Sequence, residues 1–270
     1  MANPPIPKSR TKETERAIMA TLKDAVYGAA VGDALGVPYE FMGRGSFHAT
    51  GMVGHGSHNQ PAGTWSDDTS MILATCDSIR ELGCVDVEDM RKKFKAWFRK
   101  GKYAINGKVF DFGNTVGRAL SRNEGCSDVM DNGNGSLMRI IPLAFTDATD
   151  DQVREVSAIT HAHSISMNAC VQYVNAARSL MMGKELEIYL PSEVKSGGYV
   201  LDTLSAAFWC LEKTVSYKDC VLLAVNLGSD TDTTACVAGG LAGIKYGYDS
   251  IPKEWVEQLR GKDIIERCLF

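Results

Sequence analysis

The sequence predicts an all-α fold, and three observations support this prediction. Apolar residues recur at three- and four-residue steps over most of the 270-residue chain, which is the spacing of one helix face. Strand patterns are sparse, and the best candidate is a short hairpin at residues 103–112 around Asn106-Gly107. No repeat, low-complexity stretch or mid-chain linker divides the chain, so we expect one compact multi-helix domain.

The helical patterns begin after a short N-terminal segment. Residues 1–14 are rich in Pro, Lys and Thr and have no apolar periodicity, so we expect a flexible arm there and a domain at residues 15–270. The first predicted helix starts near Glu15 and ends near Gly36, before Pro38. The remaining predicted helices cover residues 67–82, 86–100, 151–160, 165–182, 201–213, 217–227, 231–246 and 252–260.

Capping residues set the limits of several of these helices. Asp86 is a candidate N-cap, and Gly83, Gly101 and Gly183 each follow the last residue of a helical pattern. Between the first two helices, residues 43–64 are rich in glycine and histidine and have no periodicity. Loops of this length inside a compact domain are often functional. This loop is therefore a candidate lid over a bound ligand.

Composition argues against several classes of protein. The formal net charge is −4 and the basic residues form no long run, so we expect no nucleic-acid surface. The eight cysteines are scattered without Cys-x-x-Cys spacing, which favours reduced thiols over disulfides or a zinc site. No apolar span approaches the roughly 20 residues of a membrane helix, and the N-terminus lacks the apolar core of a signal peptide. We expect a cytoplasmic protein without a membrane partner, and a monomer, because no heptad seam is present.

Two acidic clusters stand at the starts of predicted helices, Ser66-Asp67-Asp68-Thr69 and Asp230-Thr231-Asp232-Thr233. One side-chain oxygen is enough to cap a helix, but residues 64–69 offer five side chains with oxygen. Crowded carboxylates repel one another unless a cation compensates them, and hard divalent cations prefer oxygen ligands. Two such clusters that meet in one fold would bind one cation or bridge two. The sequence therefore predicts a two-metal enzyme.

Similar motifs from two other enzyme classes fit less well. The pattern Asp230-x-Asp232-x-Thr234 matches haloacid-dehalogenase-type phosphatases, in which it follows a buried parallel strand near the start of an α/β domain. In this chain it follows a helical pattern near the C-terminus. Asp67-Asp68 matches the start of the Asp-Asp-x-x-Asp motif of isoprenoid synthases, but the third carboxylate is missing. We therefore prefer neither interpretation.

A glycine-rich segment at residues 131–139 is a second candidate site. One interpretation is a tight turn that needs glycine for its backbone conformation. In the other, exposed backbone N–H groups and Asn side chains hold a diphosphate or a ribose. His161 lies between two predicted helices, where a histidine either caps and packs or donates to a phosphate.

The segment from Gly28 to Gly36 superficially matches a dinucleotide-binding fingerprint, but no strand precedes it. We interpret it as a helix whose small residues permit close packing. Asp33 and Glu40 lie within or just after this mainly apolar segment. Each of these acidic residues should therefore be paired, buried with a role, or at a rim.

Five motifs together resemble the ADP-ribosylglycohydrolase family in their order and spacing, from about Lys23 to Tyr246. The motifs are Gly32 to Gly36 with Glu40, Thr64 to Thr69, Gly133 to Arg139, Thr160-His161, and Gly228 to Thr234. The resemblance implies an all-α domain with a central cleft that holds two Mg²⁺ or Mn²⁺ ions. It also implies hydrolysis of the bond between ADP-ribose and a protein side chain.

The resemblance further implies roles for individual residues. Glu40 would lie on a mobile segment near the metals, and Asp131 would face the scissile end of the substrate, both as catalytic residues. Ser66 stands where many family members have Thr, and it keeps the hydroxyl oxygen. The implied metal ligands are Ser66, Asp67, Asp68, Asp230, Asp232 and Thr233. The implied substrate-binding residues are Asn134, Gly135, Ser136 and His161.

The substrate implied by the resemblance is an ADP-ribosylated protein, and the product is ADP-ribose. We expect an arginine linkage, because an acid at Asp131 can pair with a guanidinium, whereas serine offers no positive charge. One open alternative is an O-linked substrate such as ADP-ribosyl-serine, O-acetyl-ADP-ribose or poly(ADP-ribose). The other is a non-catalytic ADP-ribose-binding protein. The intact carboxylates of both acidic clusters argue against the second alternative.

Overall fold

Eleven α-helices make up the regular structure of residues 20–186 and 193–270, which are the residues described by the computed structural model, and no β-strand occurs among them. The all-α prediction is thus confirmed, while the predicted arm at residues 1–14 lies outside the described residues. The helices are α1 (Leu22–Gly36), α2 (Asp67–Leu82), α3 (Val87–Lys100), α4 (Asn114–Arg122), α5 (Asp150–Ser157), α6 (Ser164–Met181), α7 (Val200–Lys213), α8 (Tyr217–Asn226), α9 (Thr231–Tyr246), α10 (Lys253–Gln258) and α11 (Lys262–Cys268).

Local capping residues explain why α2 and α3 begin and end where the sequence predicts. The hydroxyl of Ser66 and the carboxylate of Asp86 each accept a hydrogen bond from a backbone N–H in the first turn, at 3.3 and 2.7 Å. Gly83 and Gly101 follow these helices with φ of 69° and 67°. Glycine adopts this left-handed conformation without steric cost, so both helices end there.

The predicted hairpin at residues 103–112 is wrong. Asn106 and Gly107 do form a turn, with φ of 55° and 68°, but the turn belongs to a 3₁₀ segment rather than to paired strands. Tyr103 and Ile105 are buried in the helical core. An isolated hairpin is marginally stable without further strands, and here the apolar residues gain more by packing on helices.

The sequence pattern also misses two helices and leaves one boundary untested. Neither α4 nor α11 is predicted, because each is short and buries few apolar side chains, such as Val116 and Leu120 on α4. Within the described residues α1 begins at Leu22, since Thr21 and Asp24 form a capping box. Residues 15–19, where the first helix was predicted to begin, lie outside the described residues.

The centre of the domain is an antiparallel pair of helices, α1 and α9, in backbone contact. A Cβ added to Gly28 would lie 2.3 Å from the carbonyl oxygen of Gly239, and one added to Gly32 would lie 2.1 Å from that of Ala235. A Cβ on Gly36 would lie 2.3 Å from the Cα of Asp232. The small residues of α1 therefore serve close packing, as predicted, and this packing brings the end of α1 against the start of α9.

Tyrosine hydroxyls and a third helix complete this arrangement. Tyr217 of α8 donates to the carbonyl of Gly28 at 2.7 Å, and Tyr173 of α6 donates to that of Val237 at 2.8 Å. These bonds satisfy polar groups inside the core. The N-terminus of α2 packs beside the end of α1, so three helix ends meet at one place. None of the described helices is long and apolar enough to span a membrane.

Candidate active site

Asp33 of α1 fixes the first turn of α2. Its Oδ1 accepts a hydrogen bond from the Ser66 N–H at 2.9 Å, and its Oδ2 accepts from the N–H and the hydroxyl of Thr69 at 3.0 and 2.6 Å. Burial raises the pKa of Asp33 to about 6, although these hydrogen bonds oppose the shift. The acidic residue that the sequence singled out on α1 is therefore buried and paired with the first acidic cluster.

The chain between α10 and α11 holds the segment that leads into α2. The N–H of Arg260 donates to the carbonyl of Gly63 at 2.9 Å, and its guanidinium donates to the hydroxyl of Thr64 at 2.8 Å. A Cβ on Gly261 would lie 2.5 Å from the ring of Trp65. Residues 63–66 therefore enter the site along a fixed path.

The two acidic clusters meet at the junction of α1, α2 and α9. Side-chain oxygens of Asp33, Asp68 and Asp232 lie within 4.8 Å of one another, and so do those of Glu40, Asp230 and Asp232. Hydroxyl groups join the clusters, because Asp68 Oδ2 accepts from Ser66 Oγ at 2.9 Å and from Thr233 Oγ1 at 3.3 Å. The six predicted metal ligands are thus close together in the fold.

The electrostatics of this cluster favour a bound cation. Burial raises the pKa of Asp67, Asp68 and Asp232 well above its ordinary range, and neighbouring carboxylates raise it further. Burying each of these side chains costs less free energy when the carboxyl is neutral than when it is ionised. A divalent cation would remove both the repulsion and the desolvation cost.

Three buried carboxylate oxygens of the cluster are available to a metal ion. Asp68 Oδ1, Asp230 Oδ1 and Asp232 Oδ2 are buried, and none has a hydrogen-bond partner in the part of the chain that the structure describes. Buried polar atoms normally have a partner, and an unpaired carboxylate oxygen is especially unfavourable. Oxygen-only ligands suit Mg²⁺ or Mn²⁺ better than zinc. The residues present therefore fit a divalent metal.

A cavity of about 530 Å³ opens above this cluster. Its lining includes Asp67, Asp230 and Thr233 of the acidic clusters, and Gly133, Asn134 and Gly135 of the glycine-rich segment. Volumes of this size are typical of small-molecule sites. Of the predicted site residues, those that line the cavity are Glu40, Asp67, Asn134, Gly135, His161, Asp230 and Thr233.

The glycine-rich segment is tied to the acidic cluster by Asn134. Its amide Nδ2 donates to Asp230 Oδ2 at 2.8 Å and to Thr203 Oγ1 at 2.9 Å. A Cβ on Gly135 would lie 3.0 Å from the imidazole Cε1 of His161. Glycine at this position therefore lets the histidine ring pack directly against the cavity wall.

His161 is a neutral side chain in this wall. Its Nδ1 lies 2.8 Å from the hydroxyl of Thr160, and the ring is 1% exposed. Burial, together with the nearby charge of Arg139, lowers the pKa of His161 to about 3. The ring therefore acts as a hydrogen-bonding group and not as a cation at physiological pH.

Two predicted site residues, Ser136 and Asp131, do not line the cavity and bind other side chains instead. Ser136 is fully buried, and its Oγ accepts a hydrogen bond from Ser157 Oγ at 2.9 Å. Asp131 forms an ion pair with Arg118 of α4 and accepts from Thr115 Oγ1 at 3.0 Å. Catalysis by Asp131 would require the Arg118 pair to open.

The structure adds two residues that the sequence pattern did not single out. Asp111 lines the cavity. Burial, and after it the charge of Asp111, raise the pKa of Glu40 to about 10. His58 forms a hydrogen bond with the Glu40 carboxylate. The strand interpretation of residues 103–112 concealed Asp111, which in fact lies on a loop just before α4. His58 lies in the candidate lid, whose histidine content was the only available signal.

The chain is similar to known proteins along most of its length. A sequence profile of the ADP-ribosylglycohydrolase family matches residues 14–196 and 175–269. ADP-ribosylarginine hydrolase Tri1 of Serratia proteamaculans (strain 568) is 34% identical over 275 residues, covering 88% of this chain and 74% of the relative. ADP-ribosyl-dinitrogen reductase glycohydrolase of Rhodospirillum rubrum is 31% identical, covering 87% and 88%. A solved structure described as an ADP-ribosylglycohydrolase-related protein complex has a TM-score of 0.76 and 28% identity, covering 91% of this chain and 94% of its own.

Proposed function

This chain belongs to the ADP-ribosylglycohydrolase family, and on that basis we propose that it hydrolyses the N-glycosidic bond between ADP-ribose and an arginine side chain of a modified protein. The chain is an enzyme of the glycosidic-bond hydrolase class. One structural observation carries the proposal: buried carboxylate oxygens that have no hydrogen-bond partner among the described residues converge from two helix starts beneath a cavity of about 530 Å³. Two relatives of about one-third identity are named for ADP-ribosylarginine and for ADP-ribosylated dinitrogen reductase.

We propose that the six metal ligands named from the sequence bind two Mg²⁺ or Mn²⁺ ions. Asp33 supports this set by fixing the first turn of α2 and brings a further carboxylate oxygen close to Asp68 and Asp232. When bound, such ions would polarise the ribose hydroxyls and lower the pKa of a coordinated water. The ligands in this proposal are Ser66, Asp67, Asp68, Asp230, Asp232 and Thr233.

Hydrolysis adds water across the bond between the anomeric carbon and the guanidine nitrogen. The hydroxyl stays on the ribose, and a proton must reach the leaving nitrogen. Glu40 is suited to move this proton, because it lines the cavity and its carboxylate lies within 4.8 Å of side-chain oxygens of Asp230 and Asp232. Asp131 remains a candidate for the same step, although its pairing with Arg118 favours Glu40.

Substrate binding would use the wall that the glycine-rich segment and His161 form beside the acidic cluster. Asn134 and Gly135 line it with an amide side chain and a backbone free of a Cβ, and neutral His161 offers a hydrogen bond to a phosphate. Ser136 would contribute through its backbone N–H, since its hydroxyl is engaged with Ser157. The diphosphate and the ribose of ADP-ribose are the groups we assign to this wall.

The carboxylates at the cavity favour arginine as the linked side chain. Glu40 and Asp111 line the cavity, where their negative charge would attract the guanidinium of a linked arginine. A serine hydroxyl carries no charge and would not be attracted in this way. An O-linked substrate remains the alternative within the same fold and metal chemistry. The cytoplasmic location and the monomeric state stay predictions.

The test is release of free ADP-ribose from a mono-ADP-ribosylated arginine peptide, with a serine-linked peptide in parallel. Each reaction would be run with Mg²⁺, with Mn²⁺ and with a chelator. Metal-dependent release from the arginine peptide is expected, and Asp232→Asn should abolish it. A matched control, Asp151→Asn, changes an exposed carboxylate whose one ion pair within the described part of the chain is with Arg154. Release confined to the serine peptide would contradict the proposed linkage, and binding without release would contradict hydrolysis.

A further inference from the structure

Two phenylalanine side chains are exposed at the edge of the active-site cavity. Phe41 is 73% exposed and Phe112 is 45% exposed, and both line the cavity. Each directly follows a carboxylate of the same lining, which is Glu40 in the first case and Asp111 in the second. Apolar surface gathered at one site in water commonly marks contact with a partner. We call Phe41 and Phe112 the aromatic rim.

Strained backbone places both rings at the cavity. Phe41 has a φ of 66°, and Asp111, just before Phe112, has a φ of 49°. This left-handed conformation is uncommon for residues with a Cβ, and it costs free energy. Backbone hydrogen bonds hold it at Phe41, whose N–H donates to the Ser229 carbonyl at 2.7 Å, while the Ser229 N–H donates to that of Met42 at 2.8 Å. Strain of this kind is concentrated at functional sites.

Aromatic packing fixes the two rings on one side only. The ring of Phe112 lies 5.1 Å from that of Phe98 and 6.5 Å from that of Trp97, nearly perpendicular to both. The ring of Phe41 lies 5.8 Å from the imidazole of His58. Edge-to-face contacts of this kind are favourable. The aromatic rim is therefore an ordered apolar surface that needs little further ordering when it binds a partner.

The covalent link in the proposed substrate identifies this partner. Three methylene groups join the guanidinium of an arginine to its backbone. When the guanidinium lies at the carboxylates of Glu40 and Asp111, the backbone of the modified protein lies one side-chain length away from them. The residues next to both carboxylates form the aromatic rim. The rim therefore faces the polypeptide that carries the modification, with the carboxylates attracting the arginine and the rings open to its neighbours.

We propose that the aromatic rim is the docking surface for the polypeptide on either side of the modified arginine, and that it favours apolar flanking residues. This inference rests on the proposed function, because it takes an arginine-linked protein as the substrate. Rings that bind polypeptide should not affect a substrate without polypeptide. Rings that stacked on the adenine of ADP-ribose would affect every substrate alike.

The test uses three arginine-type substrates with the full chain and Mg²⁺. ADP-ribosyl-agmatine carries the guanidinium without polypeptide, and two ADP-ribosylated arginine peptides of equal length have glycine or leucine on both sides of the arginine. The variants are Phe112→Ala, Phe41→Tyr and Phe41→Asn, because asparagine tolerates the left-handed conformation better than most residues. The matched control is Phe270→Ala, which removes a 41% exposed ring that does not line the cavity. Thermal unfolding of every variant reports on folding.

We expect the wild type to have a KM about tenfold lower for the leucine peptide than for the glycine peptide, with similar kcat, because the rings bury the leucine side chains. Phe41→Asn and Phe112→Ala should each lose most of this preference and keep the wild-type kinetics on ADP-ribosyl-agmatine. Phe41→Tyr should keep the preference, and Phe270→Ala should change nothing.

Two results would overturn the inference. One is a wild type with no preference between the peptides. The other is an equal loss on all three substrates in Phe41→Asn, since the ring would then support Glu40 or bind ADP-ribose. If Phe112→Ala does not fold, Phe41→Asn decides alone.

Failure of the proposed function would look different. A wild-type protein that releases ADP-ribose from none of the three substrates would overturn both statements. Release from all three substrates with the same KM would overturn only the role of the aromatic rim.

Discussion

The imidazole Nε2 of His58 forms a hydrogen bond with Oε2 of Glu40 at the edge of the cavity. The hydroxyl of Ser57 also donates to the backbone carbonyl of Glu40, at 2.5 Å. Gly56 packs so closely against Pro38 that an added Cβ would lie 1.9 Å from the Pro38 carbonyl oxygen. The long loop between α1 and α2 therefore holds Glu40 by both its backbone and its side chain.

Replacing His58 by alanine should lower activity without unfolding the protein. The Glu40 carboxylate would lose the partner that orients it, and removal of such supporting partners typically costs about 10–100-fold in activity. We expect the loss in kcat rather than in KM, measured with the arginine peptide. His55→Ala is the matched control, because His55 lies on the same loop and, among the described residues, its side chain bonds only to Asn59. Equal effects of the two variants would contradict this role of His58.

Replacing Glu40 by alanine should separate metal binding from turnover. Glu40 reaches the acidic cluster but is not one of the proposed ligands, so we expect the metal content to stay near that of the wild type. Turnover should fall by about 10²–10⁴, which is the usual contribution of a positioned acid or base. Metal analysis and steady-state kinetics on one preparation check this division. Loss of metal in Glu40→Ala would show instead that Glu40 is a ligand.

Replacing Asp232 by asparagine should have opposite effects on stability with and without metal. In chelator the variant should unfold at the same temperature as the wild type or higher, because a neutral amide removes the repulsion within the buried cluster. Saturating Mg²⁺ should stabilise the wild type by about 2.7 kcal/mol at 100 times the dissociation constant, but not the variant. Thermal unfolding with Mg²⁺ and with chelator measures both effects. A clear loss of stability in chelator would contradict the repulsion argument.

Replacing Gly32 by alanine should destabilise the protein and disturb the site together. The new methyl group would lie 2.1 Å from the carbonyl oxygen of Ala235, so α1 and α9 must move apart. Overpacking of this kind typically costs about 1–3 kcal/mol, and a backbone clash lies at the upper end. Gly43→Ala is the control, because nothing lies within 4 Å of its added Cβ. Chemical denaturation of both variants tests the prediction.

The parts of the fold that the sequence could predict depend on local contacts. The N-caps of α2 and α3 and their terminal glycines act within a few residues, so the pattern of residues shows them directly. The acidic clusters are recognisable in the sequence as candidate metal ligands, because capping a helix N-terminus does not need so many side-chain oxygens. Their meeting depends on the glycines of α1, whose close-packing role was also visible in the sequence.

The parts that could not be predicted depend on tertiary structure. Asp111 belongs to the site only because the loop before α4 reaches the cavity, and its segment has a strand-like sequence. The pairing of Asp131 with Arg118 joins two segments whose proximity no local pattern encodes. His58 reaches Glu40 because Gly56 allows the loop to pack against Pro38. Contacts between side chains on different loops are therefore the main feature of the site that the sequence does not predict.

Asp77 on α2 provides a separate test of stability against pH. Burial alone would raise its pKa, but hydrogen bonds from Tyr103, Arg80, Lys102 and Lys93 outweigh burial and hold the pKa well below its usual range. The folded state therefore binds this proton less readily than the unfolded state, whose carboxyl has a pKa of about 3.9. The stability that Asp77 contributes is fully present above that value and is lost as the pH falls through the lower folded-state pKa.

We therefore expect Asp77→Asn to lower the free energy of unfolding at pH 7, by about 1–3 kcal/mol, because buried donors lose a charged acceptor. Below about pH 4 the difference from the wild type should shrink, since the carboxyl of the unfolded wild type takes up a proton there while the folded carboxyl stays ionised. Urea denaturation between pH 3 and pH 7 measures this difference. Asp151→Asn, which changes an exposed pair with Arg154, should leave the curve unchanged. A difference that stays constant over this pH range would mean that the charge of Asp77 does not stabilise the fold.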